Sequence, residues 1–249
     1  MSNILIIGGA SGIGLEAVKF LCSDNDVFVL DKNPMNSEDV HLVSGYHTLN
    51  ILDTDDIKNV FRNLFNLKHR FNHLVITAGG AHPTEVELIK KTASFLELDE
   101  SSLYHTISLN LINQIILVQQ CYKLFSKNVN SRNSNSITLT SSINSMGRYG
   151  LVAYSSAKAG LEGFVRSSAE DLGKLGIRIN CVSPGSTRTP LTIKEGMDFE
   201  SVKKQSLLDR VNLPYDIAQI ISLLVNSSAI TGQCLVCDSG QSLKSLSRY

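Results

Sequence analysis

Tyr154 and Lys158 stand four residues apart in Tyr154-Ser155-Ser156-Ala157-Lys158. On a helix that spacing puts both side chains on one face, a turn apart. An ammonium beneath a phenol favours the phenolate, and so predicts a tyrosine pKa lowered from about 10 toward working pH. A phenol tuned in this way exchanges a proton with a carbonyl or alcohol oxygen. Two amphipathic helical residues show the same spacing by chance, so the pair gains meaning only from what surrounds it.

The second group that could do chemistry is the turn Gly8-Gly9-Ala10-Ser11-Gly12-Ile13-Gly14. It follows the short apolar run Ile4 to Ile7 and opens a segment of helical character from Leu15 to Leu21. A helix N-terminus offers unpaired N–H groups and the positive end of a dipole, which suits a pyrophosphate. Glycines permit the tight turn and a close backbone approach. A second apolar run, Val27 to Leu30, closes on Asp31. A carboxylate there accepts hydrogen bonds from a ribose hydroxyl and repels a 2′-phosphate. Lys32 is the one cation nearby that could favour such a phosphate, and neither Ala10 nor Ser11 is basic. NAD is therefore expected over NADP.

These groups must be positioned by a repeating architecture. Apolar runs at 4–7, 27–30, 46–50, 73–76, 137–140, 177–182 and 233–238 read as strands. Helical segments lie between them, one capped by Thr54-Asp55-Asp56 and others at about 103–125, 154–175 and 215–225. Gly176 is expected to stop the helix that carries Tyr154. Residues 128–136, rich in Asn and Ser, read as an exposed turn. This rhythm predicts an α/β protein with a doubly wound parallel sheet, a Rossmann fold. The whole of 1–249 is expected to form one domain, with a substrate-covering excursion near 190–212.

The chain has 23 Lys+Arg against 23 Asp+Glu, a balance that argues against general affinity for nucleic acid or an acidic membrane surface. The five cysteines are scattered and odd in number, which suits free thiols in a reducing compartment. Cys234 and Cys237 form a C-x-x-C, but on a strand they face opposite sides, so redox or metal use is not expected. The N-terminal residues lack a basic segment ahead of an apolar one, and no run reaches the roughly 18 apolar residues of a membrane span. A soluble cytoplasmic protein is expected.

In order, the glycine turn, Asp31, Ala78-Gly79, Asn110, a serine ahead of the tyrosine, Tyr154-x-x-x-Lys158 and Pro184-Gly185 resemble the short-chain dehydrogenase/reductase family over essentially the full length. The resemblance implies that Tyr154 is the acid/base and that Lys158 lowers its pKa and binds the nicotinamide ribose. It implies that Asn110 holds a water in a proton relay. The family's serine usually lies thirteen residues before the tyrosine, which selects Ser141. Ser142 is the match if the intervening loop has lost a residue, and Ser141 is preferred. The cofactor contacts so implied are Gly8, Ser11, Gly12, Ile13, Gly14, Asp31, Asn50, Ile51, Ala78, Gly79, Pro184, Gly185, Thr187 and Thr189, besides Tyr154 and Lys158. Four positions depart from the family pattern. Ile7 replaces a threonine, Ile76-Thr77 replaces a pair of asparagines, and Asn50 replaces an aspartate.

The expected reaction is interconversion of a secondary alcohol and a ketone by hydride transfer. Alternatives are a 3-oxoacyl-carrier-protein reductase, a dehydrogenase of a cyclic diol or hydroxy acid, and an NAD-binding regulatory protein without turnover. Substrate choice is expected to lie in 82–100, 143–153 and 190–212. Arg148 could pair with an anionic substrate, though a solvated surface role is preferred; His82 and His105 are assigned no role. The resemblance also implies pairing of long helices into a dimer or tetramer; their apolar residues Ile112, Ile115, Ile116, Leu161, Phe164 and Val165 could serve either the sheet or a partner.

Overall fold

The computed structural model describes residues 1–127, 135–147 and 150–244. Seven parallel strands form one sheet in the order β3-β2-β1-β4-β5-β6-β7, with β1 Asn3–Ile7, β2 Asp26–Asp31, β3 Gly45–Thr48, β4 His73–Ile76, β5 Asn135–Thr140, β6 Ile177–Pro184 and β7 Cys234–Cys237. The expected doubly wound parallel sheet is what the chain forms. Alternation within β1 shows why it needs two covered faces. Leu5 and Ile7 join one buried cluster, Ile4 and Ile6 the other, and all four are fully buried.

The first face is covered by α2 (Thr54–Asn66), α5 (Asn113–Cys121) and α6 (Val152–Lys174). They contribute Ile57, Val60, Phe61 and Leu64, then Leu117 and Val118, then Leu161 and Val165. The second face is covered by α1 (Gly12–Leu21) and α9 (Pro214–Asn226), through Ala17, Val18 and Leu21 packed near Ile217, Ala218 and Ile221. These apolar positions recur at three- and four-residue intervals, the spacing of one helix face. The strand order reverses at β1, which lies between β2 and β4. The crevice beyond the carboxyl ends of β1 and β4 is thus the place where such sheets bind ligands.

Several local readings are corrected. Asp53, not Thr54, caps α2, its Oδ1 accepting from Asp55 N at 2.9 Å and Asp56 N at 3.1 Å. The long connection after β4 contains α3 (Pro83–Lys90). The helix expected at about 103–125 begins earlier, as α4 (Glu100–Ile107), and widens to a π turn over Ser108–Ile112 before α5. Of the turn expected at 128–136, residues 128–134 lie outside the described residues, while Asn135 and Ser136 are buried and begin β5. Two short helices, α7 (Pro190–Lys194) and α8 (Phe199–Gln205), form the excursion after β6. The α6 helix ends before Gly176, whose φ of +70° is the left-handed geometry glycine tolerates best.

Cys234 and Cys237 do face opposite sides of β7, one packed against each buried cluster. The neighbour of Cys234 is Cys181, its partner in the parallel register. The Cys181 thiol is pushed up and that of Cys234 down, because the first donates a hydrogen bond to the second. Among the described residues, no helix is long and apolar enough to cross a membrane.

Candidate active site

The glycine turn is built for close approach. Gly8 has φ +92°, and its N–H donates to Leu30 O at 2.8 Å, tying the turn to β2. A Cβ on Gly14 would lie 2.0 Å from Gly8 O, and a Cβ on Gly8 would lie 2.5 Å from Ala78 N. No side chain fits at either position. Thr77, where the family has asparagine, donates its hydroxyl to Gly8 O at 3.0 Å and so takes over the bracing of β4 against the turn.

Ser11 is exposed at the N-cap of α1, and its side chain caps nothing, which leaves the first N–H groups of the helix facing the crevice. Gly12 and Ile13 form the first turn behind it. Asp31 ends β2 with Oδ2 accepting from Ala10 N at 3.0 Å and Oδ1 from Asn33 N at 2.9 Å. The open helix end, the cradle without Cβ atoms and a carboxylate at the next strand end are the donor set a dinucleotide requires.

After β3, Asn50 is exposed and folds its Oδ1 back onto Leu52 N at 3.1 Å. Ile51 is buried, and its carbonyl accepts from Asn113 Nδ2 at 2.7 Å. On the opposite rim Pro184 ends β6. Thr187 is buried, with its hydroxyl on Gly185 O at 2.8 Å. Thr189 caps α7, and its Cβ lies 3.6 Å from where a Cβ on Gly12 would be. The rim after β6 therefore meets the glycine turn across the crevice.

Two of the expected catalytic residues, Asn110 and Lys158, meet at Gly79. A Cβ there would lie 2.8 Å from Asn110 Oδ1 and 3.2 Å from Lys158 Nζ. Asn110 is fully buried inside the π turn. Its Oδ1 accepts from Gly80 N at 3.0 Å, and its Nδ2 donates to Gly80 O at 2.7 Å and Thr106 O at 2.9 Å. Both amide protons are spent on the backbone. The widened turn is what brings Asn110 against the 79–80 segment, and such turns recur at functional sites. Gln114 extends the clamp by donating to Ala78 O at 2.8 Å.

Lys158 is 2% exposed; its Nζ donates to Thr140 O at 2.7 Å and lies 5.5 Å from the centre of the Tyr154 ring. Burial lowers its pKa to about 8. Burial acts the other way on the phenol, and the pKa of Tyr154 is pushed up to about 12, with the Ser142 hydroxyl pulling it back and the carboxylates of Glu195 and Glu85 adding to the rise. The expected lowering is thus not found in the chain alone, where the cost of taking the phenolate out of water raises the value.

The two serines are separated by geometry. Ser141 is 2% exposed and turns into the protein, donating to Glu162 Oε1 at 2.9 Å. Ser142 caps the short turn Ile143–Met146, its hydroxyl accepting from Asn144 N at 3.2 Å, and it is the serine whose hydroxyl draws the Tyr154 pKa down. The thirteen-residue spacing thus points to a hydroxyl that is already held inside the protein, and its neighbour Ser142 is the more open of the two. The same Glu162 oxygen also accepts from Ser145 at 2.7 Å and Ser183 at 2.8 Å, which pins the segment after β5 to α6. Glu85, Gln114, Asn113 and Glu162 were not singled out from the sequence. They are polar residues on helical segments, where nothing in the local pattern separates them from surface residues.

Beside the start of α6 lies a cavity of about 220 Å³ lined by Glu85, Leu88, Ile89, Ala93, Phe95, Leu98 and Gly150–Val152. Arg148 lies outside the described residues. His82 and His105 pack edge to face with ring centres 4.8 Å apart.

A crevice with these features defines a dinucleotide-binding oxidoreductase of the doubly wound type. The family model described as Enoyl-(Acyl carrier protein) reductase matches residues 8–242. Carbonyl reductase family member 4 of Xenopus tropicalis is 27% identical over 243 residues, covering 96% of this chain and 97% of that protein. The 3-oxoacyl-[acyl-carrier-protein] reductase of Thermotoga maritima is 28% identical over 247 residues, covering 95% and 96%. The solved structure of 4-hydroxyisoleucine dehydrogenase complexed with NADH superposes with a TM-score of 0.83 at 27% identity, covering 97% of this chain and 98% of that one. The chain belongs to the short-chain dehydrogenase/reductase family of oxidoreductases.

Proposed function

We propose that the protein interconverts a secondary alcohol and a ketone with a nicotinamide dinucleotide, using Tyr154 as acid/base. The observation that carries this reading is the convergence of Asn110 Oδ1 and Lys158 Nζ on Gly79, with the Tyr154 phenol above the ammonium. The residues to hold the cofactor are the Gly8–Gly14 turn for the pyrophosphate, with Ser11, Gly12 and Ile13 at the helix end. Asp31 takes the adenosine ribose, Asn50 and Ile51 the adenine edge, and Ala78-Gly79 the middle of the cofactor. Pro184, Gly185, Thr187 and Thr189 close the nicotinamide end. When bound, the dinucleotide supplies or accepts the hydride.

The chain's own residues handle the oxygen. In reduction Tyr154 gives its proton to the carbonyl oxygen while Ser142 donates a hydrogen bond to the same atom. Lys158 stands behind the ring and stabilises the phenolate that remains. With Gly80 and Thr106 holding both amide protons of Asn110, the second lone pair of Oδ1 is what remains to hold a relay water. Asp31 favours NAD over NADP. A second reading, reduction of a 3-oxoacyl substrate, draws on the apolar cavity beside Tyr154, which would take a hydrocarbon chain.

The test is the change in nicotinamide absorbance with a panel of alcohols, ketones and 3-oxoacyl thioesters, with NAD(H) and NADP(H) in parallel. Turnover lost in Tyr154→Phe while the coenzyme still binds supports the reading. Tight coenzyme binding with no turnover on any substrate would instead favour a regulatory protein.

A further inference from the structure

The helix that carries Tyr154 has no cap of its own. It opens from Leu151, whose backbone is left-handed (φ 51°, ψ 62°) and whose side chain makes no capping hydrogen bond. The first N–H groups of a helix lack partners within it, and a cap side chain normally accepts those at the second and third positions. Here those positions are Ala153 and Tyr154, and the acceptor comes from another element. Glu85, in the first turn of α3, aims Oε1 at Ala153 N at 2.7 Å and at Tyr154 N at 3.4 Å. Glu85 is 3% exposed, and its Oε2 is buried with no hydrogen-bond partner. A carboxylate kept in that condition is costly, since an unpaired buried oxygen has lost its water for nothing in return. What it gains is a hold on the backbone of Tyr154.

We propose that Glu85 is a positioning residue for the acid/base tyrosine: it caps α6 from α3 and so fixes where the phenol points. The proposal rests on the reading of Tyr154 as acid/base. Its geometry also gives Glu85 an electrostatic part. The groups that face the phenol are Lys158 beneath the ring, Ser142 after β5, Glu195 after α7 and Glu85 itself. Glu85 in turn faces His82, which packs on His105; Lys32 faces His105, and Lys90 faces Glu195. Burial does most to keep the phenol protonated, and of these groups the two carboxylates add to it. Removing the charge of Glu85 makes Tyr154 easier to ionise. Alcohol oxidation uses the ionised phenol, so the alkaline rise of its rate then moves to lower pH.

The experiment uses the full chain with Glu85→Ala, Glu85→Gln and Tyr154→Phe, a substrate found in the panel above, and hydrogen exchange at the amides of residues 153 and 154. In Glu85→Ala, kcat is expected to fall on the order of ten- to a hundredfold through misplacement of the phenol. Coenzyme affinity stays unchanged, and the two amides exchange faster. Glu85→Gln keeps one acceptor oxygen, so it restores amide protection and most of kcat, while shifting the alkaline rise to lower pH. If Glu85→Ala does not fold, the shift in Glu85→Gln decides alone. Wild-type kcat and an unmoved pH profile in the Glu85 variants, with Tyr154→Phe inactive, overturn the proposal and leave the acid/base reading standing. An active Tyr154→Phe overturns that reading instead.

Discussion

Ser141→Ala and Ser142→Ala ask neighbouring hydroxyls to do different things. In the proposed reaction Ser142, whose hydroxyl draws the Tyr154 pKa down, donates to the substrate oxygen that Tyr154 protonates. Loss of one such donor to developing charge costs about 2.7–4 kcal/mol, or roughly 10²–10³ in kcat. Ser141 sits one residue away but donates to Glu162 Oε1, an oxygen that keeps Ser145 at 2.7 Å and Ser183 at 2.8 Å when Ser141 is gone. One neutral hydroxyl lost from a shared acceptor costs about 1 kcal/mol of stability. For a chain of this length that is a fall in Tm of about 2–4 °C.

The assay is steady-state kcat and KM with thermal unfolding on both variants. The expected pattern is a large fall in kcat for Ser142→Ala, with a small fall in Tm because its hydroxyl also caps the turn Ile143–Met146, and a small fall in Tm with kcat kept for Ser141→Ala. If Ser142→Ala keeps wild-type kcat while Ser141→Ala loses it, the loop geometry has been read wrongly and the thirteen-residue spacing was right.

Three further outcomes follow from particular contacts. Asp31→Ala should raise kcat/KM with NADP relative to NAD by at least tenfold, one 1.4 kcal/mol step; unchanged selectivity removes Asp31 from the ribose. Gly14→Ala places a Cβ 2.0 Å from Gly8 O, so coenzyme binding, read by fluorescence quenching or calorimetry, should be lost or the chain should fail to fold; wild-type affinity would contradict the cradle. Lys158→Met should abolish turnover yet stabilise the fold at neutral pH. The lysine's pKa falls from 10.5 to about 8, and a drop of about 2.5 units corresponds to about 3 kcal/mol of destabilisation. Loss of the bond to Thr140 O offsets about 1 kcal/mol of that gain. In wild type the penalty is complete below about pH 8 and is relieved as pH rises toward 10.5, because there the unfolded chain holds a proton that the folded one has released. The advantage of Lys158→Met in denaturant midpoint should therefore shrink between about pH 7 and about pH 10; a variant no more stable than wild type at pH 7 refutes the argument.

The sheet was legible because its signals are local. Four-residue apolar runs such as Ile4–Ile7 and His73–Ile76, each ended by small residues, can only be strands buried on both faces. Gly8, Gly12 and Gly14 announced a backbone position without room for side chains, and the distances at Gly8 and Gly14 show that need. What was not legible depends on contacts made across the sequence. Ser141 and Ser142 are adjacent and alike, and only the fold turns one onto Glu162 and the other onto Asn144. Glu85 reads as an ordinary acid in the first turn of a short helix, and its partner lies 68 residues further on. Glu162 reads as a surface residue of α6 until three hydroxyls from two other segments are found on one of its oxygens.

The opposed pKa shifts of Tyr154 and Lys158 explain why the pair alone predicts too little. Spacing gives proximity, and proximity alone would drive both groups toward their charged forms. Burial drives both toward their neutral forms, and in the chain without cofactor burial wins on each, at about 12 for the phenol and about 8 for the amine. A phenol held at about 12 is a poor base near neutrality and an adequate acid. The site by itself is therefore poised to give a proton to a carbonyl rather than to take one from an alcohol. On the proposed function, Tyr154 and Lys158 would stand beside the nicotinamide, and positive charge on its oxidised form would lower the phenol's pKa toward the ionised state that alcohol oxidation needs, while the reduced form would leave the phenol protonated for ketone reduction. On this argument the direction of the proton follows the redox state of the bound cofactor, and the sequence motif supplies only the two groups that respond to it.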